Sequence, residues 1–224
     1  MKFLSERLTS QASLSEGDGA KRRWEFTSPL EGERPGERGE TSPPQADKKN
    51  SNPPRIFSFP PVADRHARIL ILGSMPGLAS LSAARYYAHP RNLFWPFMGE
   101  IAGAAPDLPY PARLERLRAA NIALWDVLHS CTREGSLDTR IDAKSIRVND
   151  FAAFFTEHPG IETICFNGRM AENCFRRHAL PALLALPSWR ERRLLRLPST
   201  SPAHAGMSRA QKLEIWRKAL VLEV

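Results

Sequence analysis

Short apolar runs alternate with helix-like segments along the chain from Ile56 onward. Four of these runs have the length and unbroken hydrophobicity of buried strands. Because parallel strands that are buried on both faces need crossover helices between them, the alternation predicts an α/β fold. We expect a three-layer α/β/α sandwich with a central, mostly parallel four-stranded sheet. The predicted strands cover residues 67–72, 121–125, 161–166 and 193–197.

Five segments between and after these runs have apolar residues at helical spacing. Phe151, Phe154 and Phe155, for example, fall on one face of a helix. Ser208 is a suitable N-cap for the last segment. The predicted helices cover residues 93–104, 110–120, 149–158, 168–178 and 209–222.

Residues 1–54 do not share this pattern. They are rich in Pro, Gly, Glu and Ser, and such a segment cannot bury enough apolar surface to offset the entropy of ordering. We therefore divide the chain into an N-terminal extension at residues 1–54, disordered or arising from a start codon assigned too far upstream, and a domain at residues 55–224.

The net charge of +8 belongs entirely to this domain. The extension carries nine basic and nine acidic side chains, whereas residues 55–224 carry 23 basic and 15 acidic ones, and 20 of the 23 are Arg. A compact basic domain favours a polyanionic partner such as nucleic acid. The alternative explanation of the same basic composition is a genome whose codon usage favours Arg, combined with an ordinary solvated surface.

Several classes of protein are excluded by absent signals. No apolar stretch approaches the roughly 18 residues of a membrane helix, and the N-terminus lacks the apolar core of a classical secretory signal. Three cysteines are too few for a disulfide scaffold and fit a reducing cytoplasm. Cys165, Cys174 and His178 lack a convincing fourth ligand, so we expect no metal site.

Two loops of unusual composition follow the first and last predicted strands. Ligands of parallel α/β sheets bind in loops beyond the carboxyl ends of the strands, so these loops are expected to form two walls of one cleft. Residues 85–95, Arg-Tyr-Tyr-Ala-His-Pro-Arg-Asn-Leu-Phe-Trp, interleave rings suited to base stacking with basic groups. Residues 198–204, Pro-Ser-Thr-Ser-Pro-Ala-His, offer hydroxyls to phosphate oxygens. The alternative interpretation of residues 85–95 is that their aromatic side chains anchor the next helix in the core. For residues 198–204 the alternative is a serine-rich entry to a helix.

Five sequence blocks follow one another between about residue 66 and the C-terminus. They are Leu-Ile-Leu-Gly-Ser-Met-Pro-Gly, Tyr-Tyr-Ala-His-Pro-Arg-Asn-Leu-Phe-Trp-Pro, Leu-Trp-Asp-Val-Leu with a following Gly-Ser-Leu-Asp, Cys-Phe-Asn-Gly, and Pro-Ser-Thr-Ser-Pro-Ala-His. In this order the blocks resemble the uracil-DNA glycosylase superfamily, and most of all its hypoxanthine-DNA (deoxyinosine) glycosylase branch.

The resemblance implies an enzyme of base excision repair. Such an enzyme flips a deaminated base, here most fittingly hypoxanthine, out of double- or single-stranded DNA and cleaves its bond to deoxyribose. Water attacks without a covalent intermediate, and neither a metal nor a cofactor is expected. We further expect a cytoplasmic monomer that does not bind membranes. A uracil-type glycosylase of the same superfamily and a non-catalytic DNA-binding protein on this fold remain alternatives.

The resemblance also implies roles for single residues. Asn92 is expected to orient the water or the base, since Ser74 and Met75 stand where many branches carry an Asp or Asn. His204 is expected to hydrogen-bond the leaving base or a phosphate. One of Tyr86, Tyr87 and Phe94 should stack on the base. Substrate contacts are expected from Gly73, Ser74, Met75, Pro76, Tyr87, Phe94 and Asn167, and DNA backbone contacts from Arg91, Ser199, Thr200 and Ser201.

Three polar residues leave more than one interpretation open. Asn167 follows a predicted strand, where it could read the edge of the base or simply end the strand in a turn. Asp126 ends a predicted strand and could cap the next turn or point into the cleft, and Asp138 lies in a polar loop. Both are interpreted as structural, because a carboxylate near phosphate is costly. A small-molecule hydrolase using Ser74 or Ser199 lacks a supporting Asp/His pattern.

Overall fold

The chain is described over residues 53–220 by a computed structural model. The predicted extension, apart from its last two residues, and the last two residues of the predicted C-terminal helix lie outside this range. The strands are β1 (Arg55–Phe57), β2 (Ile69–Gly73), β3 (Ile122–Asp126), β4 (Leu128–Thr132), β5 (Arg147–Val148), β6 (Thr163–Asn167) and β7 (Arg193–Leu197). The helices are α1 (Leu78–Ala83), α2 (Phe94–Ala102), α3 (Tyr110–Ala119), α4 (Phe151–Glu157), α5 (Arg169–Cys174), α6 (Leu180–Leu184) and α7 (Arg209–Leu220).

The central sheet has four parallel strands in the order β3-β2-β6-β7. Helices cover both of its faces, so the predicted α/β/α sandwich is confirmed, with every strand pair of this sheet parallel. The register aligns Gly73 with Asp126 and Asn167 with Leu197. The ends of four strands and the loops that follow them therefore meet at one edge of the sheet.

Alternate strand residues face two separate hydrophobic cores. Leu70 and Leu72 pack into one core with residues of α4 and α5, while Ile69 and Ile71 pack into the other with residues of α2 and α7. All four side chains are buried, and full burial of such a side chain contributes about 1.5–3 kcal/mol. The unbroken apolar runs of the sequence are thus explained by burial on both faces.

A second, antiparallel sheet in the order β1-β4-β5 was not predicted. Its strands are short, and β4 begins directly after Val127, so the chain passes from the central sheet into the small one within a single residue. His129 in the middle of β4 is exposed whereas its neighbours are buried.

The region after β6 remains helical beyond the predicted end at residue 178. α5 continues through a π-helical segment, Phe175–Ala179, into α6. Pro181 lies in the first turn of α6, where its missing N–H is tolerated. No helix among residues 53–220 combines the length and the hydrophobicity that crossing a membrane requires.

Candidate active site

A cavity of about 540 Å³ lies beyond the carboxyl ends of β2, β3 and β6. The two loops that were predicted from the sequence to form a cleft line two of its walls, and residues 136–139 form a third wall. The volume falls in the range of small-molecule sites. Of the predicted site residues, Gly73, Ser74, Met75, Pro76, Tyr87, Asn92, Asn167, Ser199, Thr200, Ser201 and His204 line the cavity.

Asn92 enters the cavity from the start of α2. Its Oδ1 accepts a hydrogen bond at 2.9 Å from the N–H of Phe94, the first residue of α2, and this bond holds the side chain in place. Its own N–H donates to the carbonyl of His89 at 2.9 Å. The next N–H, that of Leu93, donates to the carbonyl of Thr200 at 3.0 Å and ties this loop to the C-terminal loop.

The three aromatic candidates have different surroundings. Phe94 is completely buried and does not line the cavity; its ring stacks behind Tyr87, with centroids 4.0 Å apart. The structure therefore does not place Phe94 in contact with substrate as predicted; the Phe94 ring instead packs against Tyr87 and supports it. Tyr86 is also buried, and its hydroxyl donates to the carbonyls of Phe59 and Pro60. Tyr87 is left as the half-buried ring that faces the cavity.

The floor of the cavity joins Gly73, Asp126 and Tyr87. A side chain at Gly73 would collide with Oδ1 of Asp126 and lie 3.0 Å from the Tyr87 hydroxyl, so only glycine fits there. Among the described residues, neither Oδ2 of Asp126 nor the Tyr87 hydroxyl has a hydrogen-bond partner, although both atoms are buried. An unsatisfied buried polar atom costs about 1–3 kcal/mol, which indicates a role other than stability.

Tyr87 holds this position with a left-handed backbone, at a φ of 52°. Bulky residues rarely adopt this conformation, and it concentrates at functional sites.

Asp126 is 3% exposed, and its burial shifts its ionisation. Burial first, and then the nearby Asp138, raise the pKa of Asp126 to about 8, while Arg133 acts in the opposite direction. At neutral pH its carboxyl is therefore mostly protonated. The sequence favoured a structural role for Asp126 over a position in the cleft; the structure places it in the cavity wall, where the strand register sets it beside Gly73.

Asp138 and Arg133 shape the third wall. Ser74 Oγ donates to Oδ2 of Asp138 at 2.5 Å, which lowers the pKa of Asp138, although burial raises it overall. The buried guanidinium of Arg133 donates to the carbonyls of Pro76 and Gly135 and lies 3.6 Å from Asp138. Asp138 thus lines the cavity and orients Ser74, which the sequence did not reveal.

Asn167 and Thr200 bind each other across the edge of the sheet. Nδ2 of Asn167 donates to Oγ1 of Thr200, and the Thr200 N–H donates to Oδ1 of Asn167, both at 2.9 Å. Thr200 is completely buried, so its hydroxyl serves this bridge and is not presented to a DNA phosphate as predicted. Ser199 and Ser201 remain partly exposed, and His204 is exposed at the rim.

Lys212 fixes the C-terminal loop from below, a function that the sequence did not reveal. This lysine of α7 is 2% exposed, and its Nζ donates to the carbonyls of Ser199 and His204 at 2.9 and 2.6 Å. One turn later, Nε1 of Trp216 donates to the carbonyl of Pro198 at 2.9 Å. A lysine in an amphipathic helix is ordinarily exposed, so the pattern alone gives no signal.

Lys212→Met tests this clamp. The variant keeps the length of the side chain but leaves two carbonyls without their donor, so we expect the free energy of unfolding to fall by about 1–3 kcal/mol. Amide hydrogen exchange in residues 199–204 should accelerate. Lys218→Met, at a 76% exposed side chain of the same helix, is the matched control. Equal exchange in both variants would show that Lys212 does not hold the loop.

No set of three His, Cys, Asp or Glu side chains within residues 53–220 converges as a metal site would require. Arg91 is exposed beside the first loop and does not line the cavity; its N–H donates to Nδ1 of His89 at 3.1 Å.

The fold and the cavity together define an α/β/α protein with a cavity beyond the carboxyl ends of its central strands. Comparison with known proteins identifies the family. The family model described as the uracil DNA glycosylase superfamily matches residues 60–220. The chain therefore belongs to the uracil DNA glycosylase superfamily, and the resemblance read from the sequence blocks is confirmed.

Individual relatives agree with this assignment. The chain is 42% identical over 112 residues to a protein named hypoxanthine DNA glycosylase from Methanosarcina barkeri, covering 50% of this chain and 70% of the relative. A protein of the same name from Methanosarcina acetivorans is 41% identical over 114 residues, covering 50% and 71%. The solution NMR structure of a candidate uracil DNA glycosylase from Methanosarcina acetivorans has a TM-score of 0.58 and 32% identity, covering 74% of this chain and 98% of that one.

Proposed function

We propose that the protein is a monofunctional DNA glycosylase that excises hypoxanthine from deoxyinosine in DNA. The observation that carries the proposal is the cavity in which Asn92, Tyr87 and the C-terminal loop surround a space large enough for a nucleobase. Membership of the superfamily and the two relatives named hypoxanthine DNA glycosylase support it.

The chemistry needs a positioned water and hydrogen-bond donors, and no strong nucleophile. Cleavage of the glycosidic bond builds positive charge on the sugar and negative charge on the departing base. The flipped base enters the cavity beside Tyr87, and Asn92 orients either the water or the base. His204 at the rim donates to the base or to a phosphate, while Ser199 and Ser201 bind the DNA backbone.

Arg91 is proposed to contact a phosphate of the DNA. Arg91→Ala should weaken binding and lower the slope of log affinity against log salt by about 1. Arg193→Ala is the control, because Arg193 is exposed at the start of β7, the opposite edge of the sheet from the cavity. Fluorescence anisotropy with labelled duplex across a salt series measures both slopes. Identical slopes would remove Arg91 from the interface.

The test of the function is a strand-cleavage assay. Purified protein with chelator is incubated with labelled DNA that carries one hypoxanthine, uracil or xanthine, in duplex and single-stranded form, and hot alkali then breaks the strand at abasic sites. Breaks at hypoxanthine support the proposal. Breaks only at uracil would keep the class of enzyme and change its base, and binding without any break would indicate a non-catalytic DNA-binding protein.

A further inference from the structure

Two oxygen-bearing side chains lie at the floor of the cavity, and each has a buried atom without a hydrogen-bond partner among residues 53–220: Oδ2 of Asp126 and the hydroxyl of Tyr87. The amide of Asn167 lies close enough to the Tyr87 hydroxyl to act against the burial that raises its pKa. The other carboxyl oxygen of Asp126, Oδ1, and the Tyr87 hydroxyl both border Gly73, since a Cβ at that glycine would collide with Oδ1 and lie 3.0 Å from the hydroxyl. A ligand that enters the cavity can supply the missing partner.

Resting on the proposed function, we propose that Asp126 works as a neutral carboxylic acid which, together with the Tyr87 hydroxyl, donates hydrogen bonds to the carbonyl oxygen of the flipped base. Asp126 thereby becomes a specificity-determining residue that also stabilises the leaving group. Neither role follows from the sequence blocks, which assign no function to this acid.

The surroundings of Asp126 favour its neutral form. Its carboxyl is 3% exposed and rests against the backbone of Gly73. The nearest cation, Arg133, is shared with Asp138 and two backbone carbonyls. Burial and the negative charge of Asp138 both raise the pKa of Asp126. The other ionisable groups around it and along the cavity are Tyr86, Tyr87, Tyr110, His89, Arg169 and His204.

Two O–H donors at the floor of one cavity select an oxygen acceptor. A carbonyl oxygen has two lone pairs and accepts both bonds, whereas an exocyclic amino group donates and cannot accept them. Deamination replaces the amino group of adenine with the carbonyl oxygen of hypoxanthine. The pair Tyr87–Asp126 therefore distinguishes a deaminated base from its parent.

The same donors assist cleavage of the glycosidic bond. The base leaves with negative charge, part of which resides on its carbonyl oxygen, and buried donors aimed at developing charge lower the barrier. An ionised carboxylate at this position would repel that charge. A carboxylic acid kept neutral by burial can instead donate a hydrogen bond at pH 7.

The experiment compares pH profiles of kcat/KM for hypoxanthine excision in wild type and Asp126→Asn. The amide of the variant offers an N–H donor that does not titrate. We expect wild-type activity to fall about tenfold for each pH unit above about 8, as the acid ionises, and the variant to retain its activity there. Because both proteins act on the same DNA, titration of the substrate cancels in the comparison.

Further variants keep the outcome decisive. Asp126→Ala should lower kcat/KM about tenfold and Tyr87→Phe about fivefold, as expected for loss of one buried hydrogen bond. Asp107→Asn, at an exposed acid outside the cavity, should reproduce the wild-type profile. Thermal unfolding confirms that each variant is folded. An inactive but folded Asp126→Asn would mean that a carboxylate is required and would overturn the proposal. A wild-type protein that excises nothing would instead refute the proposed function.

Discussion

Asn92→Ala is expected to reduce the rate of hypoxanthine excision at least about a hundredfold, the usual loss when a positioned polar group at a reacting centre is removed. Affinity for DNA should stay within about threefold of wild type, because the proposed phosphate contacts lie on other residues. Single-turnover kinetics and anisotropy on the same duplex measure the two quantities separately.

The structure supplies a necessary control for this variant. Asn92 also accepts a hydrogen bond from the Phe94 N–H at the start of α2, and loss of such a bond costs about 1 kcal/mol. Asn92→Asp keeps an oxygen for this bond but removes the amide donors. If Asn92 orients water through its oxygen, the aspartate variant should retain activity; if it donates to the base, that variant should be as inactive as alanine.

The contradicting outcome is equally specific. Full turnover by Asn92→Ala, with only a lower unfolding temperature, would limit Asn92 to its structural hydrogen bond with Phe94. The candidate that remains at the floor of the cavity would then be Asp126, whose variants are tested independently.

The central sheet could be predicted because strands that are buried on both faces require unbroken runs of apolar residues. Leu70 and Ile71 face opposite cores, so both positions must be apolar. The small antiparallel sheet leaves no comparable pattern. Its strands are short, β1 and β5 are largely exposed, and their partners are distant in sequence, as when Ile56 of β1 pairs with Cys131 of β4.

The two loops that form the site could be predicted from the sequence, but the contacts of their individual side chains could not. The position of each loop after a strand follows from the fold class, and the structure brings both into one cavity. The partners of single side chains depend on register and packing. Thr200 looked like a surface hydroxyl and is buried, while Asp126 looked like a strand end and lies at the cavity floor.

Asn167→Ala should lower kcat/KM for excision about tenfold through loss of loop position, since small misplacements of groups around a reacting centre are costly. Both amide atoms of Asn167 are engaged with Thr200, the residue that also accepts from the Leu93 N–H. The bridge therefore joins β6, the C-terminal loop and the loop that carries Asn92. Its removal should also reduce the free energy of unfolding by about 1–3 kcal/mol.

Thr200→Val separates this positioning role from direct reading of the base. The substitution removes Oγ1 at nearly constant volume and leaves the amide of Asn167 intact. If Asn167 acts by holding the loop, Thr200→Val should lower kcat/KM by part of the same factor, and the double variant should be little worse than Asn167→Ala alone. If Asn167 reads the base, Thr200→Val should excise at the wild-type rate while Asn167→Ala does not, because the amide that contacts the base would be unchanged.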